Sequence, residues 1–226
     1  MTKWLSYIIL LPGVLIFLLS GCDKGDDTPD PVTDIDGNIY QTVAIGNQVW
    51  MAENLRTTKL NDGSDIKMIS KNQEWHSASY PAFSWYNNDS SLFRVPYGAL
   101  YNAYVAENDK ICPAGWHVPS VEEFRSLAVS LGDSLVAGGK LKSEGTTQWH
   151  SPNSGADNSS QFSALPSGMR YFEGTFSSLS YFTAFWSSSK PDTASMNYMC
   201  LSYLDSKTTF GAKSKKHGFS IRCIRN

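Results

Sequence analysis

The sequence predicts an α+β domain, with few helices set among antiparallel strands and long loops. Three observations carry this. Residues 120–131 form the one strongly marked helix. The runs 39–45 and 48–51 flank Gly46-Asn47, a pair suited to a two-residue hairpin turn. From residue 162 onward, short runs rich in aromatic and β-branched residues alternate with turn residues, as sequential strands do.

The chain begins with a targeting pattern. Lys3 is the only charge before Cys22, and the apolar run 8–19 is interrupted by Pro12 and Gly13. That run is short for a membrane span, so removal is expected rather than anchoring by a helix. Leu19-Ser20-Gly21-Cys22 places small residues before a cysteine. Residues 1–21 therefore resemble a bacterial lipoprotein signal, with Cys22 acylated as the new N-terminus. The mature chain would hold 226 − 21 = 205 residues, enough for one domain with a sizeable core plus a tether. Loss of Lys3 moves the net charge from −2 to −3. Such a mild balance gives no electrostatic case for nucleic acid or an acidic lipid surface. Residues 22–33 are acidic and proline-bearing, and are expected to be a disordered tether. Acidic residues just after Cys22 resemble the surface-export signals of Bacteroidetes lipoproteins. The expected address is the outer membrane or cell surface, with the lipid holding the chain to the membrane.

The domain is expected over 34–226. Asp36-Gly37 and Asn61-Asp62-Gly63 read as turns, on either side of the 39–51 hairpin. Residues 70–96 are rich in aromatics without a clear period, and 97–106 suit helix or strand equally. Ser120 and Glu123 form a capping box after Pro119. Phe124, Leu127, Ala128 and Leu131 then share one face, and Gly132 is placed to end the helix. A second helix is expected over 135–143, weakened by Gly138-Gly139. A polar loop spans 145–160. Strands are expected at 162–165, 169–172, 185–187, 197–204 and 219–224. In the last, Phe219, Ile221 and Cys223 share a face, with Ser220 and Arg222 opposite. The run 213–216, holding three lysines, reads as a solvated hairpin turn.

Export places Cys112, Cys200 and Cys223 in an oxidising compartment, so one disulfide and one leftover thiol are expected. On the residues alone, Cys112 with Cys223 and Cys200 with Cys223 both remain open.

The motifs carry a family likeness. They are Asp36-Gly37-Asn38, Ile45-Gly46-Asn47-Gln48-Val49-Trp50-Met51-Ala52-Glu53-Asn54-Leu55, and Tyr97-Gly98-Ala99-Leu100-Tyr101-Asn102. Residues 112–120, Ala164-Leu165-Pro166-Ser167-Gly168, Phe185-Trp186-Ser187-Ser188 and Gly218-Phe219-Ser220-Ile221-Arg222-Cys223 continue the set. Together they resemble the Fibrobacter succinogenes major paralogous domain, found in surface proteins of Bacteroidetes and Fibrobacteres. The resemblance covers 34–226. It implies a C-type lectin-like fold, akin to the formylglycine-generating enzymes, with a twisted antiparallel sheet. It also implies a Cys112–Cys223 disulfide, leaving Cys200 as an extra.

Candidate chemistry is sparse. Trp75-His76, Trp116-His117 and Trp149-His150 have no short ligand spacing, so no metal site is expected from them. The loop 151–158 offers oxygen ligands of the kind calcium takes, yet Asp157 is its lone carboxylate, and a structural loop is the simpler reading. No cofactor is expected, calcium being the one candidate. Loops on a rigid scaffold commonly carry binding. Trp149 either stacks on a sugar, with Asn153, Asp157 and Asn158 bonding its hydroxyls, or lies buried beneath the loop. No G-x-S-x-G elbow and no phosphate-cradling glycine motif occurs. The expected role is thus non-catalytic binding or adhesion to a glycan, protein or matrix ligand. The alternatives are a divergent oxidoreductase of the formylglycine-generating type, for which a close cysteine pair is missing, or a structural surface or pilus-associated subunit.

Overall fold

The computed structural model describes Met1 and residues 29–226. The expected signal over 1–21, the Cys22 acylation site and most of the 22–33 tether lie outside the described residues. The carbonyls of Pro29 and Asp30 accept bonds from Thr42 Oγ1 at 2.8 and 2.9 Å, which fixes where the chain joins the domain.

Strands β1 (Val32–Thr33) and β2 (Ile39–Tyr40) pair around Asp34. The Asp34 carboxylate accepts from the backbone N–H groups of Asp36 and Asn38 at 3.0 and 2.9 Å, and from the Tyr40 hydroxyl. Strands β3 (Thr42–Ile45) and β4 (Gln48–Met51) form the expected hairpin, with Gly46 at φ +59 in its turn. Strand β5 (Lys67–Met68) precedes the stretch without a period, which holds helix α1 (Asn72–Ser77), strand β6 (Ala82–Ser84) and helix α2 (Ser90–Tyr97). The ambiguous 97–106 run contains both states: strand β7 (Leu100–Asn102), then helix α3 (Ala103–Ala106).

Strand β8 (Trp116–His117) leads into helix α4 (Val121–Ser130). Both arms of the capping box form: Ser120 Oγ accepts from the Glu123 N–H at 3.2 Å, and Glu123 Oε2 from the Ser120 N–H at 2.7 Å. Phe124, Leu127 and Ala128 are buried, Leu131 packs beside them, and Gly132 at φ +119 turns the chain away. Helix α5 (Ala137–Leu141) is the second expected helix. Strands β9 (Ser167–Arg170), β10 (Phe176–Leu179), β11 (Phe182–Trp186), β12 (Ser195–Ser202), β13 (Thr209–Ser214), β14 (Gly218–Phe219) and β15 (Ile224–Arg225) follow.

The fold is mixed α and β, mostly sheet with few short helices. It departs from a single antiparallel sheet. The largest sheet runs β13-β12-β11-β9-β14-β7-β6-β5, with β10 also on β9. Two of its pairings, β5 with β6 and β9 with β11, are parallel. A second sheet runs β3-β4-β15-β8, and β1-β2 is separate.

Three local expectations are corrected. Residues 162–165 form no strand, only a single bridge from Ala164 to Lys142. Gln161 and Ser163 lie at φ +57 and +55, which breaks an extended run there. The 219–224 segment divides between β14 and β15, in two different sheets. In the 213–216 run, Lys215 is buried rather than solvated, and its ammonium meets Glu107 Oε1 at 2.6 Å.

The division of the last segment explains the core. Phe219, Ile221 and Cys223 enter one apolar cluster with Trp85, Tyr101 and Trp186. A second cluster holds Trp50, Phe124, Trp149, Phe162 and Phe185. Ser220 and Arg222, on the opposite face, are also buried and form a polar seam. Arg222 donates to Asn54 Oδ1 from Nε at 3.2 Å and Nη2 at 2.7 Å, and to the Phe162 carbonyl from Nη1. Its guanidinium lies 4.1 Å from the Phe162 ring centroid. Asn54 Nδ2 reaches Ser220 Oγ, which continues through Ser167 to Thr183 at 3.0 and 2.8 Å. Buried polar groups need such partners, and this chain supplies them. Cys112 and Cys223 are disulfide-bonded, with Cα atoms 6.0 Å apart, so the segment leading into β15 is tied to the approach to α4.

Candidate functional site

The 145–160 loop is shaped from beneath by α5. Gly138 and Gly139 weaken a helix by propensity, but packing requires them. A side chain on Gly138 would overlap the Lys207 carbonyl, and one on Gly139 the Gly155 carbonyl. The Gly139 N–H donates to Ser206 O at 3.1 Å, and the Asp157 N–H to Gly139 O at 3.2 Å. Lys142, just past α5, is fully buried. Its ammonium donates to the carbonyls of Ser154, Ser202 and Asp205 at 3.0, 2.9 and 2.8 Å. Burial pushes its pKa down to about 8. These bonds tie the loop to the β12–β13 connection.

Trp149 is 1 % exposed, and its Nε1 donates to Ala164 O at 2.9 Å. The ring is a floor for the loop and offers no face to solvent, which corrects the stacking role. Asn153 is buried as well, donating from Nδ2 to the carbonyls of Ser143 and Gly145 at 3.0 and 2.7 Å. Asn158 exchanges bonds with Ser163, donating to its Oγ at 3.0 Å and accepting from its N–H at 2.9 Å. Asp157 alone of the four is exposed; the Ser159 N–H bonds its carboxylate and lowers its pKa. The two asparagines thus bond within or beside the loop, as turn residues do, and shape it. Asn153 Oδ1 and Ser143 Oγ are buried without a partner among the described residues. Neither is charged, and Asp157 is the loop's single carboxylate, so the donor set does not fit calcium. Among the described residues, no three His, Cys, Asp or Glu side chains are grouped to hold a metal.

What the loop exposes is an aromatic trio that the sequence did not mark. His150 stacks on Tyr181 with centroids 4.6 Å apart and planes 22° apart. Tyr203 meets both edge-on, at 5.6 and 5.1 Å. His150 is exposed, Tyr181 is 41 % exposed, and Tyr203 is half-buried. Tyr181 occupies the two-residue tip Ser180-Tyr181 between β10 and β11. The rings come from three segments joined by backbone bonds: His150 N–H to Ser180 O at 2.7 Å, and Tyr203 N–H to Tyr181 O at 3.1 Å. His150 Nδ1 lies 2.8 Å from the Ser151 carbonyl, which can only accept. The proton is therefore on Nδ1, and in the neutral ring Nε2 is an acceptor. Of the eight described non-glycine residues with positive φ, six lie between Asn153 and Ser180, including Ser178 and Ser180 at +63 and +70. Backbone outliers of this kind cluster where a chain aims functional groups. That concentration singles out this region.

The other features stand apart. His76 packs against Phe172, and His117 meets Glu123 Oε1 at 2.8 Å and Asn226 Oδ1 at 2.6 Å beside the α4 cap. Cys200 is buried on β12, and burial pushes its thiol up to about 12. Cys223 is bonded to Cys112 and cannot pair with Cys200. A shallow cleft of 390 Å³ between α4 and β13 is lined by Arg125, Val129, Asp133 and Phe210 among others. No described helix is long and apolar enough to cross a membrane.

Fold and site define a disulfide-tied α/β domain that presents rings from clamped loops. The chain belongs to the Fibrobacter succinogenes major domain family, whose model matches residues 43–225. No curated protein and no solved structure matches it.

Proposed function

We propose that this chain is a lipoprotein of the outer membrane or cell surface, acylated at Cys22, whose domain binds a glycan without catalysis. The observation that carries the reading is the exposed His150–Tyr181 stack, with Tyr203 behind it, on a clamped loop surface. Sugar rings have apolar C–H faces that pack on aromatic faces, while their hydroxyls need donors and acceptors at the edge. His150 Nε2 and Ser180, which adjoins Tyr181, supply such groups. The mixed sheets, short helices and long loop are in keeping with a C-type lectin-like fold. Glycan-array binding of the purified protein tests this, with and without calcium. Binding that is lost in Tyr181→Ala and indifferent to calcium is expected. An array without binding, or binding unchanged in Tyr181→Ala, overturns the reading.

A second reading, a structural surface or pilus-associated subunit, is favoured by β13. This six-residue strand is the outer member of the largest sheet, with no strand on its far side among the described residues. Such edges pair readily with other chains, although Lys213 on the strand works against that. The oxidoreductase reading has less support, because Cys223 is held in a disulfide.

A further inference from the structure

We propose that the face formed by the β1–β2 turn and helix α2 lies against the lipid bilayer. This rests on the acylation of Cys22 proposed above, and it concerns a surface separate from the aromatic trio. Ile35 and Ile39 are 47 % and 56 % exposed, and Leu92 and Val95 are 64 % and 65 % exposed. The two segments are joined by Arg94 Nη2, which donates to Asn38 Oδ1 at 3.0 Å. Asn38 precedes Ile39 and Arg94 precedes Val95, so the bond joins the two segments that carry these exposed apolar residues. An apolar surface rimmed by polar groups marks an interaction site.

The tether decides what covers it. Cys22 and Pro29 are 29 − 22 = 7 residue steps apart. Fully extended, that reaches at most about 25 Å. A domain of roughly 200 residues has a radius of gyration of about 16 Å, hence a width of about 40 Å. The tether is shorter than the domain is wide. The side where Pro29 and Asp30 meet Thr42 must therefore stay near the bilayer. The β1–β2 pair begins two residues further on, at Val32. Exposed isoleucine, leucine and valine on that side suit the boundary between headgroups and acyl chains, where apolar side chains add to the hold of a lipid anchor. Arg56 beside them is ion-paired with Glu53 at 2.8 Å and bonded to Ile39 O, and Arg94 is bonded to Asn38 Oδ1, so the face does not depend on anionic headgroups.

Labelling of introduced cysteines tests the orientation on the full acylated chain. Val95→Cys and, as a control on a separate element, α4, Val129→Cys are each reconstituted in phosphatidylcholine vesicles and treated with a membrane-impermeant maleimide. Native Cys200 is buried and gives little background. Relative to the unacylated Cys22→Ser form in solution, Val95→Cys is expected to react about tenfold more slowly on vesicles, as for a face exposed in about a tenth of the population. Val129→Cys is expected to keep its rate. Ile39→Asp with Leu92→Asp should restore labelling at position 95 while the vesicle-bound fraction stays the same. Equal slowing at 95 and 129 on acylated, vesicle-bound protein overturns the orientation alone. Slow labelling of position 95 in the Cys22→Ser form means that a second copy covers the face, which also overturns it. A Cys22 peptide without lipid in the mass spectrum defeats the anchor reading and this one together.

Discussion

Replacing Cys112 and Cys223 together by alanine removes a cross-link that closes 111 residues. In the chain-entropy treatment a loop of that length restricts the unfolded chain by about 4.8 kcal/mol at 25 °C. Both cysteines are almost wholly buried, so the emptied sulfur volumes add about 1 kcal/mol. A loss of about 4–6 kcal/mol is expected, which for a domain near 200 residues lowers Tm by about 10–20 °C. Urea denaturation separates the two contributions. Freeing the unfolded chain should raise the m value, because a less compact denatured state exposes more surface, whereas a cavity alone leaves m unchanged. Cys200→Ala is the matched control: it empties a buried thiol without touching the cross-link, and should cost less than about 2 kcal/mol. Alkylation gives an independent count. Without reductant the native protein should take up no label, since Cys200 is buried with its thiol pushed up to about 12. If the double variant melts within about 3 °C of the wild type with the same m value, the cross-link does not constrain the chain as argued.

Tyr181→Ala should abolish glycan binding while changing stability by about 1 kcal/mol, because the ring lies at the surface, 41 % exposed, with His150 and Tyr203 its aromatic neighbours; calorimetry alongside array binding checks both. Lys142→Met removes a donor shared by three carbonyls, leaving Ser154 O with only the Ser206 Oγ bond at 3.3 Å, so amide exchange over residues 145–160 should speed up before global unfolding does. Lys142 also sets a pH dependence. Its folded pKa of about 8 lies below the model-compound value of 10.5, so the unfolded chain keeps the proton to higher pH. Stability should therefore rise between pH 8 and 10.5, by at most about 3 kcal/mol, and that rise should be missing in Lys142→Met. Gly138→Ala forces a methyl into the Lys207 carbonyl and should cost more than about 2 kcal/mol in a urea melt. Arg222→Lys cannot reproduce the two bonds to Asn54 and the third to Phe162, and should cost about 2–4 kcal/mol; part should return at high pH, where a buried lysine sheds its proton.

What could be read from the sequence was local. Ser120 and Glu123 announce α4 because a capping box is written within four residues. Gly46-Asn47 announces the β3–β4 hairpin for the same reason. The disulfide was legible only through family resemblance, since its partners are 111 residues apart. Alternation placed Phe219, Ile221 and Cys223 on one face, but it could not say that a second core lies behind Arg222. The 213–216 run looked solvated because Glu107, the partner of Lys215, is remote in sequence. The places of Trp149 and Tyr181 were not legible for a related reason. A tryptophan in a polar loop looks available, yet Lys142 and the Ala164 carbonyl enclose it. Tyr181 adjoins the apolar run of β11 and looks like core, and Ser180-Tyr181 is not a turn pair that sequence marks.

The buried cations show how so irregular a chain can hold a defined surface. Lys142, Arg170 and Arg222 are each almost fully enclosed, and among the described residues none makes a salt bridge. Arg170 donates to the carbonyls of Gly174, Ile69 and Ser70 and lies 4.3 Å from the Trp75 ring centroid. A carboxylate would neutralise each charge but would leave those carbonyls unanswered. Loop carbonyls have no ladder partner, and a buried one without a donor costs about 1–3 kcal/mol. An ammonium or guanidinium has several donors, so one side chain serves several loop carbonyls at once. Aromatic faces and carbonyl dipoles then take the place of a counter-ion. Lys215, which does pair with Glu107, is the contrast. This arrangement constrains loop backbones from within while leaving their outer side chains free to differ. In this chain that freedom falls on His150, Tyr181 and Tyr203. A ligand would therefore meet rings whose backbone is already held, and binding would require little ordering of the loop.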